Sequence, residues 1–217
     1  MIRVLVVDDE ALIRTGFQRI LAAADGIEVV GAVSGGQALR TVREQHPDVV
    51  LLDIRMPDVD GLTVLGEIRR LREPPVVAML TTFDMDEYVE TALRSGAAGF
   101  LLKDTDPEAL PLAVQSLARG GTVLSPKVTR TVVDGYLSAG APERPPKALG
   151  RLTGREREVL LLIAEGLSNA EIAARMHLST GTVKDHVSAI LTKLEVSGRV
   201  QAALFAQRAG LLAEETG

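Results

Sequence analysis

The chain has 217 residues, of which 46 % are hydrophobic and 24 % are charged, a composition typical of globular domains. It contains no cysteine and only three histidines, which excludes disulfides, thiolate metal sites and a cysteine nucleophile and disfavours zinc. Its apolar runs are too short to span a bilayer, so we expect a cytoplasmic protein without a membrane partner.

The formal net charge of −5 is unevenly distributed along the chain. Residues 1–125 carry 12 Lys or Arg against 19 Asp or Glu, a net charge of −7, whereas residues 126–217 carry 12 against 10, a net charge of +2. This asymmetry favours two domains with different tasks, and the acidic total does not exclude a nucleic-acid partner for the second domain.

Short apolar runs alternate with segments of helical period through the first 120 residues. Runs of this kind are typical of strands buried on both faces of a parallel sheet, with helices as the connections. The predicted strands are residues 2–7, 27–33, 49–52, 76–80 and 99–102. We therefore predict an α/β, flavodoxin-like domain with a five-stranded parallel sheet over residues 1–122.

The middle of the chain reads as a connection. Residues 139–150, AGAPERPPKALG, contain three prolines and are predicted to be linker, while residues 126–138 are compatible with a short helix leading into it. We assign residues 123–148 to the linker as a whole.

The last segment, residues 149–213, is predicted to be a small all-α domain of four helices. Thr153 with Glu156 and Ser168 with Glu171 have the spacing of capping boxes, which mark the first two helix starts. A third helix starts at Ser179 or Thr180, and a fourth covers residues 200–209. Two capped helices joined by a short turn form a helix-turn-helix.

Acidic side chains stand where two predicted strands end. Asp8 and Asp9 follow the first strand and Asp53 follows the third, while Thr81 and Lys103 follow the fourth and fifth. With the strand order 2-1-3-4-5 the three carboxylates converge, and such a cluster needs a hard cation such as Mg²⁺. A carboxylate is also a nucleophile toward phosphorus. The alternative interpretation of the Asp-Asp pair is an ordinary helix cap.

The third helix of the second domain offers a polar face for DNA. Val183, Val187 and Ile190 turn inward, which leaves the polar residues between them outward. We expect Thr180 and Thr182 to contact phosphate and Lys184 to contact a base edge or a phosphate. Asp185 is expected to accept from a cytosine amino group or to hold a neighbouring cation. Lys193 and Arg199 are expected to reach the DNA backbone, and Ser188 lies on the same outward face. From the pattern alone, a helical protein–protein module remains the alternative.

Four segments resemble the receiver domain of two-component response regulators: VLVVDDE at 4–10, VVLLDIRMPDVDGL at 49–62, MLTTFD at 79–84 and GAAGFLLKD at 96–104. Residues 152–199 resemble the LuxR-type helix-turn-helix of the NarL/FixJ family. The resemblance implies that Asp53 accepts phosphate from a histidine kinase. It also implies a magnesium ion held by the Asp9 and Asp53 side chains, by Asp8 through water and by the Arg55 carbonyl.

The same resemblance implies a switch. Thr81 bonds the phosphoryl group, Lys103 pairs with it, and Phe100 takes the aromatic switch position, without the hydroxyl of the more common tyrosine. The expected partners are promoter DNA, a sensor histidine kinase, RNA polymerase, and a second copy of the phosphorylated chain. Phosphorylation is expected to promote dimerisation, release of the helix-turn-helix, or both.

Two other functions were weighed. A phosphatase using an aspartyl phosphate typically has a second acid two residues after the nucleophile, where this chain has Arg55, so we expect no enzyme. A ligand sensor, or a receiver that never meets phosphate, is disfavoured because the set of Asp8, Asp9, Asp53, Thr81 and Lys103 is intact.

Overall fold

Strands and helices alternate through the first domain in the computed structural model, which describes residues 1–82, 86–124, 128–129 and 146–211. The strands are β1 (Ile2–Val7), β2 (Ile27–Val33), β3 (Val49–Asp53), β4 (Val76–Thr81), β5 (Gly99–Leu102) and β6 (Val123–Leu124). The helices are α1 (Ala11–Ala22), α2 (Ala38–Gln45), α3 (Gly61–Arg69), α4 (Asp86–Arg94) and α5 (Ala109–Ala118).

The sheet is parallel throughout and has the order β2-β1-β3-β4-β5-β6. The predicted fold class is confirmed, and the structure adds a sixth strand to the five predicted. Because β6 has only two residues, it carries no periodicity that the sequence could reveal. It lies just beyond residue 122, the predicted end of the domain.

Apolar side chains fill both faces of the sheet. Successive residues of a strand point to opposite faces, so Val4 and Val6 pack against α1 and α5, whereas Leu5 and Val7 pack against α2, α3 and α4. The four last residues of β1 and all of β3 are buried. The strand ends are therefore fixed by packing on two sides, and the residues that follow β1 and β3 are held beside each other.

The second domain consists of α6 (Pro146–Leu149), α7 (Gly154–Ala164), α8 (Asn169–Met176), α9 (Thr180–Leu194) and α10 (Arg199–Arg208). Thr153 and Ser168 form the two predicted capping boxes, and Ser179 caps α9 through the Thr182 amide. The last residues assigned to the linker, 146–148, belong to helix α6, in which Ala148 and Leu149 pack against the helical core. Residues 130–145 lie outside the described residues, as does most of the predicted 126–138 helix.

The helical domain is docked on the first domain. The Arg69 guanidinium donates a hydrogen bond of 3.1 Å to the Ser197 carbonyl, and the backbone N–H of Asn169 donates one of 3.1 Å to the Arg119 carbonyl. Val200 of α10 lies in the same apolar cluster as α4. These contacts join two domains that the sequence analysis treated as separate.

The docking surface is the edge of the sheet where the strands begin. A cleft of about 900 Å³ lies between the domains, lined by segments that precede strands, such as residues 46–48 and 71–76, and by residues of α9. The strands end at the opposite edge, roughly 17 Å away for a five-residue strand. Among the helices of the described residues, none is long and apolar enough to cross a membrane.

Candidate functional site

An acidic pocket is formed where β1 and β3 end. The two strands are direct neighbours, with Val7 opposite Leu52, so Asp8 and Asp53 emerge side by side. Carboxylate oxygens of Asp8, Asp9 and Asp53 all lie within 4.8 Å of one another. Asp8 is 0 % exposed and Asp53 is 3 % exposed. The predicted convergence of these three residues is what the structure has.

Lys103 closes the pocket from the end of β5. Its Nζ lies 2.9 Å from Asp8 Oδ2, 3.0 Å from Asp53 Oδ2 and 2.9 Å from Glu10 Oε1. Burial alone would lower the pKa of this ammonium, but hydrogen bonds to Glu10, Asp8 and Asp53 outweigh it and raise the pKa. Lys103 therefore stays charged and is the one cation that the described residues place in the pocket.

A single ammonium does not neutralise this many carboxylates. Oδ1 of Asp9 is buried and has no hydrogen-bond partner, and the Oδ2 atoms of Asp8 and Asp53 have only their ion pairs with Lys103. Buried acceptors without donors are costly, and a divalent cation with a preference for oxygen would satisfy them. The donor set contains carboxylate oxygen alone, which fits Mg²⁺ better than zinc.

The protonation of Asp53 reflects the same crowding. Burial raises the pKa of its carboxyl to about 6; the Asp8 charge adds to the rise, while Lys103 and the Arg55 amide oppose it. The Arg55 amide donates to Asp53 Oδ1 across 3.4 Å. At neutral pH Asp53 is mostly ionised, which is the form that a nucleophile or metal ligand requires.

The remaining predicted receiver residues lie on the neighbouring strands β4 and β5 and in the segment after β3. Thr81 ends β4 and is 3 % exposed, and its hydroxyl donates to the Thr82 carbonyl at 2.9 Å. Phe100 is completely buried in β5. The Arg55 guanidinium lies 5.3 Å from the centre of the Tyr88 ring in α4, a cation–π distance. Phe83 and Asp84, the end of the MLTTFD motif, lie outside the described residues.

The residues predicted to read DNA lie on one helix, α9. Thr180, Lys184, Asp185 and Ser188 are exposed, and Thr182 is half-buried with its hydroxyl 2.8 Å from that of Ser179. Val183 and Ile190 are buried in the helical core, as the pattern predicts. In the docked arrangement Lys184 and Ser188 line the cleft toward the first domain.

Two predicted DNA contacts have partners inside the helical domain instead. The Lys193 ammonium lies 2.7 Å from both carboxylate oxygens of the buried Glu156, and this pair lowers the pKa of Glu156. The Arg199 guanidinium donates to Asn169 Oδ1 and to the Leu167 carbonyl. Burial lowers the pKa of Arg199 to about 10, so it remains charged at neutral pH. Both cations join helices of the second domain.

Three polar residues have contacts in the structure that the sequence did not reveal. In the sequence Glu10 is only the third acidic residue after the first apolar run, and no pattern there pairs it with Lys103. Glu156 was assigned to a capping box without its partner Lys193. Asn169 was placed in the first turn of α8, and nothing in the sequence shows that it touches both Arg199 and the first domain.

A parallel α/β domain with a buried carboxylate pocket, joined to a helix-turn-helix, defines a class of signal-controlled DNA-binding regulators. Residues 4–115 match the family model "Response regulator receiver domain", and residues 151–206 match "Bacterial regulatory proteins, luxR family". The chain belongs to the response regulators with a LuxR-type DNA-binding domain. It is a DNA-binding transcriptional regulator.

Full-length relatives support this assignment. The uncharacterized transcriptional regulatory protein YhcZ of Bacillus subtilis (strain 168) is 39 % identical, with 98 % of this chain and 98 % of that protein covered. The response regulator protein VraR of Staphylococcus aureus (strain Mu3 / ATCC 700698) is 38 % identical, covering 97 % and 99 %. The crystal structure of the response regulator ChrA of a heme-sensing two-component system matches with a TM-score of 0.52 and 34 % identity, covering 97 % and 98 %.

Proposed function

We propose that Asp53 accepts a phosphoryl group from a phosphohistidine of a sensor kinase. An oxygen of the ionised Asp53 carboxylate forms the new O–P bond while the P–N bond of the phosphohistidine breaks. The electron pair of that bond stays on the imidazole nitrogen, which a proton from solvent neutralises. What carries this proposal is the convergence of Asp8, Asp9, Asp53 and Lys103 at one edge of the sheet.

Mg²⁺ is the cofactor that this donor set supports. The side chains of Asp9 and Asp53 and the carbonyl of Arg55 would hold it, with Asp8 assisting through water. When bound, Mg²⁺ screens the charge of the incoming phosphoryl group and orients it. The unpartnered Asp9 Oδ1 supports this assignment, because a cation there satisfies a buried acceptor that the protein leaves alone.

Thr81 and Lys103 are proposed to hold the phosphoryl oxygens. The Thr81 hydroxyl now donates to the neighbouring Thr82 carbonyl, so it is available to exchange that bond for a charge-assisted one. Phe100 is proposed to follow Thr81 into the vacated space. Its side chain shares one buried cluster with Val89 and Leu93 of α4 and with Val200 of α10, which offers a physical route to the docked domain.

Release of the helix-turn-helix is the proposed output. While the domains are docked, α9 turns Lys184 and Ser188 toward the first domain, and the same side chains cannot then enter a major groove. Repacking around Phe100 weakens the packing of Val200 against the first domain, and α9 then becomes accessible to DNA. Freed copies dimerise on promoter DNA, which doubles a modest positive charge and thereby strengthens the attraction to phosphate.

The partners in this scheme are a sensor histidine kinase, promoter DNA, a second phosphorylated copy and, at the promoter, RNA polymerase. All of them are reached from the cytoplasm, where we place the protein. The phosphoryl group stays on Asp53 until it is hydrolysed, so the protein acts as a switch and turns over no separate substrate.

Phosphate incorporation tests the proposal. Wild-type protein with a small phosphodonor and Mg²⁺ should gain one phosphoryl group, and Asp53→Asn should gain none. Phosphorylated wild type should bind promoter DNA more tightly than the untreated protein, with no such difference for Asp53→Asn. Labelling of the Asn variant would place the acceptor elsewhere.

A further inference from the structure

Glu10 makes a contact that its place in the helix does not require. It stands at the N-cap position of α1, but its side chain accepts no hydrogen bond from the helix. It reaches instead to Lys103, 93 residues further along the chain, with a 2.9 Å hydrogen bond. Because the Glu10 side chain contacts the pocket lysine and not its own helix end, Glu10 is part of the pocket.

The Lys103 ammonium is surrounded by carboxylates. Three carboxylate oxygens lie within 3.0 Å of it, from Asp8, Glu10 and Asp53; the Glu10 oxygen accepts a hydrogen bond, while the other two form ion pairs without hydrogen-bond geometry. A phosphoryl oxygen that approaches this ammonium competes with these three oxygens for its hydrogens. The carboxylate that is displaced should be the one whose separation from the ammonium costs the least free energy.

The three partners differ sharply in exposure. The side chains of Asp8 and Asp53 are 0 % and 4 % exposed, so losing their cation leaves a charge without solvent. The side chain of Glu10 is 60 % exposed, and water replaces the ammonium at little cost. Glu10 is the exchangeable partner.

We propose that Glu10 is a positioning residue that holds Lys103 in the pocket before phosphorylation and gives up its place to a phosphoryl oxygen. It accepts a hydrogen bond from the ammonium and competes with the incoming group for that hydrogen. This proposal rests on the proposed role of Asp53.

Competition predicts a gain when Glu10 is neutralised. In Glu10→Gln the amide is a weaker partner for the ammonium than a carboxylate, so a phosphoryl group displaces it more easily. An exposed pair of this kind changes an equilibrium by about two- to fivefold. The affinity for beryllofluoride, a non-covalent phosphoryl mimic, should rise by that factor at saturating Mg²⁺.

The full-length wild type, Glu10→Gln and Asp104→Asn are to be compared by calorimetric titration with beryllofluoride. Asp104 is exposed and adjacent to Lys103, so its neutralisation removes the same charge nearby without removing a partner of the ammonium. A saturation curve with acetyl phosphate follows for each variant. Glu10→Gln should lower the KM by about two- to fivefold, with a smaller change in maximal rate, whereas Asp104→Asn should change neither value to that extent.

Three results overturn the proposal: unchanged affinity in Glu10→Gln, a loss of affinity, or an equal gain in Asp104→Asn. The last would indicate a general field effect. Failure of the phosphoacceptor assignment gives a different pattern, because wild type would then bind no beryllofluoride or Asp53→Asn would bind it equally well. Wild-type binding that Asp53→Asn abolishes, together with an indifferent Glu10→Gln, removes only the role of Glu10.

Discussion

Individual side chains in the receiver domain are held in place against their own electrostatics. Asp53 is buried beside Asp8 at the end of a sheet whose packing fixes both backbones, and Lys103 offsets part of the repulsion. The repulsion between these carboxylates destabilises the empty pocket, and any cation or phosphoryl-bound metal that enters reduces that repulsion. The repulsion has a consequence for stability that is measurable without any phosphodonor.

Without metal, the stability of the pocket should fall as pH rises from about 4 to about 6. The pKa of Asp53 is raised from 3.8 to about 6, so in this interval the folded protein binds more protons at this site than the unfolded chain does. Asp53→Asn removes that titration. With a metal chelator present at neutral pH, the free energy of local unfolding around the pocket should be about 1–3 kcal/mol higher in the variant than in wild type.

Hydrogen exchange of the β1 and β3 amides measures this local free energy. Added Mg²⁺ should stabilise wild type and reduce the difference in local unfolding free energy between the two proteins, because only the folded protein binds the ion. Asp58→Asn, at an exposed acid in the loop after β3, is the control and should behave as wild type. A wild type that is more stable than Asp53→Asn in the chelator at neutral pH would contradict the electrostatic picture.

Single residues also mark the limit of what the sequence can predict. Asp8, Asp9, Asp53, Thr81 and Lys103 were predictable because the carboxyl ends of parallel strands share one edge of the sheet. The partners of Lys193 and Arg199 were not, because they lie 37 and 30 residues away on other helices. A basic residue near a recognition helix looks the same in sequence whether it faces DNA or a buried glutamate.

Whole elements were predicted more closely than side-chain partners. The runs at 2–7, 27–33 and 99–102 coincide with β1, β2 and β5, and the other two strands extend one residue further. Burial on both faces makes such runs continuous, which is why they are visible. The missed elements, β6 and α6, have two and four residues, about one period each, so neither is long enough for a pattern to repeat.

Helix α9 is the element that should carry DNA affinity. Lys184 is exposed, and no partner within the described residues is recorded for its ammonium. Lys184→Ala should weaken binding of the phosphorylated protein to promoter DNA by about 1–3 kcal/mol if the lysine reads a base edge. A contact to phosphate would instead reduce the slope of log affinity against log salt by about one unit, uniformly across sequences.

Binding isotherms at several salt concentrations, on promoter and unrelated DNA, distinguish the two contacts. Lys184→Arg keeps the charge and should retain a phosphate contact while altering a base contact that depends on shape. An Ala variant with undiminished affinity for both DNAs would remove Lys184 from the interface.

The molecule as a whole is arranged with its input and output at opposite edges of one sheet. The carboxylate pocket lies where strands end, and the helical domain docks where strands begin. A direct contact between the two sites is therefore absent among the described residues, and any coupling must pass through the body of the first domain. The cluster that joins Phe100, α4 and Val200 is continuous across that distance. The sequence did not predict this docking, because each domain alone is a complete pattern.

One contact between the domains is backbone to backbone, between Gly96 and residues 197–198. A Cβ on Gly198 would lie 3.2 Å from the Gly96 Cα, and a Cβ on Gly96 would lie 2.6 Å from the Ser197 carbonyl. Gly96 has φ +93, so a side chain there is also strained, whereas Gly198 has φ −162, which any residue adopts. Gly198→Ala therefore perturbs the domain contact without straining its own backbone.

Gly198→Ala should partly undock the domains. The added methyl group pushes the two loops apart by a few tenths of an ångström, which weakens the Arg69–Ser197 hydrogen bond and the packing of Val200. A crowded contact of this kind costs about 1 kcal/mol, so unphosphorylated protein should bind promoter DNA about fivefold more tightly than wild type. The phosphorylated forms should bind equally, because the proposed switch separates their domains in both proteins. Gly154→Ala, whose Cβ would meet nothing within 4 Å, should leave both affinities unchanged. If Gly198→Ala leaves the unphosphorylated affinity at the wild-type value, this glycine contact does not restrain the helix-turn-helix; if it lowers the affinity of both forms, the substitution has damaged α10 and Arg69→Gln tests the same contact from the other domain.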